Sequence, residues 1–138
     1  MKIIIPGKPI SKARPRFFRR GNFVGTYNSQ ETEEGRWIVL ANSQIDGKVT
    51  EVAIHLDMTF VLPRPKSHYG TGRNAGKVKP NAPSDPKGRP DIDNYIKFAM
   101  DCINGTGKVW KDDSQVVSLT AVKEYGETPK TVIEVIES

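Results

Sequence analysis

Apolar and polar residues alternate along "VTEVAIHLDMTFVL" (Val49–Leu62). Val52, Ile54, Leu56, Met58, Phe60 and Leu62 fall on one side, with Glu51, Ala53, His55, Asp57 and Thr59 on the other. A period of two predicts a long strand with one buried and one wet face, and it makes His55 a surface residue, not a ligand. "KIII" (Lys2–Ile5) predicts a short buried strand ended by Pro6-Gly7. "SQVVSLTAVKEYG" and "KTVIEVIES" predict two further strands around the turn "GETP". Two segments carry the helical period instead. Ser29 followed by Glu31, Glu33 and Glu34 reads as a capped acidic first turn, and Trp37, Ile38, Leu40, Ala41 and Ile45 supply an apolar side. In "PDIDNYIKFAMDCI", Ile92, Ile96, Ala99 and Ile103 recur at intervals of four, three and four, widened by Tyr95, Phe98 and Met100. The order β-α-β-α-β-β predicts a single α+β domain over residues 1–138, a mixed sheet with helices packed on one face.

Two stretches follow neither period, and charge collects there. Residues 1–28 hold seven Lys or Arg and no acid, and residues 64–90 hold seven against Asp85 alone, while the rest of the chain is net acidic. Two basic arms, about 6–28 and 63–90, suit a polyanionic partner such as nucleic acid. The candidate phosphate contacts are Lys8, Lys12, Arg14, Arg16, Arg19 and Arg20 in the first arm. In the second they are Arg73, Lys77, Lys79, Lys87 and Arg89. The first arm reads as an exposed loop or loose hairpin. Its Phe17, Phe18, Phe23 and Tyr27 interleave with arginines, and they either stack on bases or anchor the loop to the core. The second arm, with six prolines and four glycines, sustains neither helix nor central strand and is expected to be a flexible segment that orders on a partner. Its glycines lack the Lys-Ser or Lys-Thr pair of a phosphate-binding loop. A lone cysteine, Cys102, forms no intrachain disulfide, and no apolar run is long enough for a membrane helix; a cytoplasmic setting is expected.

The remaining chemistry is acidic. Asp91 and Asp93 follow Pro90, and residues two apart on a helix point about 200° away from each other. They converge only if Asp91 lies outside the helix, which Pro90 favours. Both could simply serve the helix start, as a cap and a dipole partner. Asp112 and Asp113, in the loop leading to the next strand, add two carboxylates if that loop returns beside the helix start. Such an oxygen-rich set suits Mg²⁺. Lys97, one turn beyond Asp93, would offset its charge.

"RPDIDNYIKFAMDCING" followed by "VWKDDSQVV" resembles the signature of the RusA family of Holliday junction resolvases. That signature is Asp-x-Asp-Asn-x-x-Lys on a helix, then an aromatic and an Asp-Asp pair before a strand. "IPGKPISKARPRF" and "FVLPRPKSHYGTGRNAG" also resemble phage-type members. The resemblance implies a RusA-like fold and a homodimeric, Mg²⁺-dependent endonuclease, with Mn²⁺ able to substitute. Such enzymes cut four-way DNA junctions symmetrically in recombination and repair. By position it implies that Asp91, Asp93 and Asp113 are catalytic metal ligands, Lys97 the functional lysine and Asp112 a supporting ligand. A longer second arm than the family's best-known member has leaves open a broader structure-selective nuclease. A non-catalytic DNA-binding module is the alternative from another class.

Overall fold

The computed structural model describes residues Met1–Ser138. Its elements are β1 (Lys2–Pro6), β2 (Arg16–Arg20), β3 (Phe23–Tyr27), α1 (Glu31–Asn42), β4 (Ile54–Leu62), α2 (Ile92–Thr106), β5 (Val116–Tyr125) and β6 (Lys130–Glu137). Four strands form one sheet in the order β1-β6-β4-β5, and β2-β3 form a separate hairpin. β4 and β5 run parallel while β1, β6 and β4 alternate, so the sheet is mixed, in the α+β class the sequence predicts. A parallel pair needs a long crossover, and the second basic arm with α2 supplies it.

Inward-facing rows follow from the period of two. Ile54, Leu56, Met58, Phe60 and Leu62 of β4 join Ile3 and Ile5 of β1 and Thr131, Ile133 and Val135 of β6, all buried. Both helices cover this face. α2 buries Tyr95, Phe98, Ala99, Cys102, Ile103 and Thr106 at three- and four-residue spacing, and α1 buries Trp37 and Ala41. Trp37 meets Phe98 edge-on at 5.0 Å between centroids, and Tyr95 stacks on Phe60 at 5.3 Å. Truncating a ring such as Phe98 would leave a cavity costing about 3–5 kcal/mol.

Three local expectations need correction. α1 starts from Gln30, not from a Ser29 cap, and Gln30 makes no side-chain bond to the helix. Its amide instead accepts from Ala13 N–H and donates to Ser11 O, tying the first arm down. β4 begins at Ile54, not Val49, because Gln115 Nε2 takes the carbonyls of Thr50 and Val52 that a strand ladder would need. β5 and β6 flank β4 without pairing with each other. The chain between them passes over the end of β4, where Gly126 N–H donates to Leu62 O and a Cβ at 126 would lie 2.5 Å from Val61 Cγ1. The second arm has local structure of its own. It contains 3₁₀ turns at Lys66–His68 and Gly72–Asn74 and bridges Tyr69 to Val78 and Gly70 to Ala75. The Arg64 guanidinium lies 4.5 Å over the Tyr125 ring and donates to Pro83 O, and Pro86 is buried.

Candidate active site and nucleic-acid interface

Asp91 stands outside the helix at the N-cap, extended at φ −69° and ψ 147°, and its exposed carboxylate makes no capping bond. Capping therefore does not occupy Asp91. Asp93 opens the first turn with its carboxylate 3.7 Å from Lys97 Nζ, and both side chains are exposed. An exposed pair of this kind contributes little stability. The backbone before Asp91 is held from across the fold, since Lys123 Nζ donates to Gly88 O at 2.6 Å and Pro90 O at 3.0 Å.

Asp112 and Asp113 lie at the other end of α2. The chain leaves the helix at Gly107, buries Val109 and Trp110, and reaches a short 3₁₀ turn, Asp113–Gln115. Trp110 Nε1 donates to Asn104 Oδ1 at 2.6 Å, and Asn104 Nδ2 donates to Asp113 Oδ2 at 3.1 Å. That relay fixes Asp113 beside the last turns of the helix. Asp112 has a different task. It caps the 3₁₀ turn by accepting from Ser114 N–H, with Gln115 completing a capping box. This backbone N–H, with Asp113 contributing, holds the Asp112 carboxyl below its ordinary range. A cleft of about 350 Å³ opens here, lined by Asn104, Trp110, Lys111, Asp112 and Asp113 among others.

The two acidic ends do not meet within one chain. Eleven residues of helix separate Asp93 from Asn104, roughly 17 Å along the axis. The carboxylates suit a hard cation in kind, yet one copy brings no three metal-binding side chains together. The loop expected to return to the helix start returns to the helix end, because the Trp110–Asn104 bond holds it there.

Of the basic residues, Lys8, Arg14, Arg16, Arg19, Arg20, Arg73, Lys77, Lys79, Lys87 and Arg89 are all exposed and outside the protein's ion pairs. Lys12 is engaged internally. Its Nζ lies 2.9 Å from Asp101 and 3.1 Å from Glu34, and its N–H donates to Asn94 O. The bond to Asp101 is the main reason its pKa is raised. Cys102 is buried, which pushes its thiol up to about 12.

Residues 6–136 match the family model described as Endodeoxyribonuclease RusA. The chain belongs to the RusA endodeoxyribonuclease family. It is also similar to the uncharacterized protein YqaN of Bacillus subtilis (strain 168), 27% identical over 139 residues that cover 99% of this chain and 96% of that one. No helix is long and apolar enough to cross a membrane. Within this RusA-family chain, two residues escaped the sequence reading. Lys123 was legible in principle, because strict alternation puts it in the inward row with Leu119, Ala121 and Tyr125. Asn104 was signalled only by the need of a buried indole N–H for an acceptor.

Proposed function

We propose that this protein is a Mg²⁺-dependent endonuclease that resolves four-way DNA junctions as a homodimer, in recombination and repair. The observation that carries the reading is Asp91. It is an uncapped carboxylate held outside the helix beside Asp93 and Lys97, in a chain of the RusA family. A bound Mg²⁺ would supply charge neutralisation and an activated water, with Mn²⁺ as an alternative metal. Asp91 and Asp93 of one copy would hold it together with Asp113 of the partner subunit. Antiparallel approach of two α2 helices exchanges their ends, and the exposed row Asp93, Lys97, Asp101 and Asn104 is polar enough to line such a junction. Dimer symmetry then matches a substrate with two-fold symmetry.

Hydrolysis by in-line displacement forms a bond from water oxygen to phosphorus and breaks the bond to the 3′ oxygen, leaving a 5′-phosphate and a 3′-hydroxyl. Lys97 offsets the repulsion between the carboxylates and the incoming phosphate. The exposed cations of both arms hold the flanking backbone, so affinity should fall with added salt.

Complementation tests this directly. Asp93→Asn and Asp113→Asn proteins, each inactive alone on a synthetic four-way junction, are mixed and assayed with Mg²⁺ and with EDTA. Shared sites predict recovery to about a quarter of the wild-type sites, read as single nicks, because only one site of each mixed dimer is intact. No recovery would place each site within one chain. Tight junction binding by wild-type protein without cutting under any divalent metal would overturn the nuclease reading in favour of a binding module. Equal cutting of flaps and forks would favour the broader structure-selective nuclease.

A further inference from the structure

The β2–β3 hairpin has no task in the site described above. Its register pairs Arg16 with Tyr27, Phe18 with Gly25 and Arg20 with Phe23, so these residues share one face. Phe17, Arg19, Val24 and Thr26 share the other. No residue of either strand is buried, and none of its aromatics joins the core. Phe17 is 76% exposed and Phe23 62% exposed. Anchoring to the core is therefore not what these aromatics do. An isolated two-stranded hairpin is marginal in water, yet this one carries an internal support. The Phe18 ring lies over Gly25, where a Cβ would come within 2.6 Å of Phe18 Cζ, and its centroid is 5.9 Å from Phe23 and 6.4 Å from Tyr27. Phe18 thus stiffens the hairpin from one face, and Phe17 stands free on the other.

The root is fixed where it matters. Lys12 bonds Asn94, Asp101 and Glu34, and Gln30 brackets Ser11 and Ala13. Asn94 follows Asp93 on α2, so the hairpin springs from within about one turn of the proposed catalytic carboxylates. Strands of five residues reach roughly 17 Å beyond that root.

We propose that this hairpin is a base-stacking finger: Phe17 and Phe23 stack on unpaired bases at the branch point of DNA while Arg16, Arg19 and Arg20 hold the adjacent phosphates. The assignment rests on the nuclease reading for the identity of the polyanion. Charge complementarity selects the partner, since the whole of residues 1–28 lacks an acid. Stacking selects the branch, since bases inside a duplex already have neighbours and offer no free face. Each stack lost to alanine is worth about tenfold or more in affinity.

The test uses a four-way junction carrying 2-aminopurine beside the branch and a matched duplex, both in EDTA so that no strand is cut. Wild-type protein should raise the fluorescence and prefer the junction. A Phe17→Ala/Phe23→Ala protein should bind duplex as wild type does, lose the fluorescence rise, and lose about tenfold or more of its junction preference. Phe17→Trp should keep both. The finger is overturned if the double variant matches wild type, if it weakens junction and duplex equally, or if wild type raises no fluorescence on any branched DNA. It is equally overturned if the substitutions abolish only binding to phosphatidylserine vesicles. Branch unstacking by a protein that never cuts with Mg²⁺ would sink the nuclease reading and leave the finger standing.

Discussion

The two basic arms carry similar densities of Lys and Arg and have opposite fates. The first carries its aromatics outward on a hairpin that touches the body only at its root. The second folds back on the sheet, where Tyr125 holds Arg64 over its face and meets His68 in a T-shaped contact, and Lys123 donates to its last carbonyls. Their share of basic residues does not separate them; the partners each meets do. The second arm meets partners already fixed on β5, whereas the first has partners only near Lys12. Basic, turn-rich sequence therefore says that a segment is not helix or central strand, and says nothing about whether it is ordered.

Breaking the Lys123 tether is the strongest attack on this contrast. In Lys123→Met the backbone before Asp91 loses both bonds, and misplacement by about 1 Å is enough to lower cleavage about 100-fold. Single-turnover rates on a junction would measure this, and unchanged rates would deny Lys123 a positioning role. Tyr125→Ala comes next. Loss of the cation–π and edge contacts together with partial burial should cost about 2 kcal/mol, against no more than about 0.5 kcal/mol for Phe17→Ala at the free finger. Urea unfolding of both variants gives the comparison, and equal losses would erase the distinction between the arms. The smallest effect concerns the root of the first arm. Lys12 has its pKa raised in the fold by Asp101, so its stabilisation is complete below its unfolded value near 10.5 and disappears as pH rises through the folded value. Melting temperatures of wild type and Lys12→Met should differ at pH 9 and converge at strongly alkaline pH. A constant difference would assign the effect to packing of the side-chain stem.

Much of this is legible in the sequence. Alternation placed the buried row of β4, and the apolar stripe placed α2 against the sheet. Each of these depends on neighbours in sequence. What escaped depends on specific side-chain bonds that periodicity does not register: from far along the chain Gln115 stops β4 early and Tyr125 holds the second arm, and nearer by Asn104 with Trp110 holds Asp113 at the wrong end of α2 for a site within one copy. Six residues from Gly107 to Asp113 could span roughly 20 Å when extended, so loop length alone allowed the return to the helix start. A single indole hydrogen bond decided otherwise.

The insertion of β6 between β1 and β4 bears on how the protein is made. Met1 and Val135 bond each other's backbone across the sheet, so a nascent chain that has emerged only as far as β5 has two unpaired edges and no middle. Its closing event joins residues 134 positions apart, a topology that slows folding. A partly synthesised copy would thus present its basic arms to nucleic acid while lacking the sheet that sets Asp91 in place. Cutting competence would arrive only once β6 has emerged and paired with both β1 and β4.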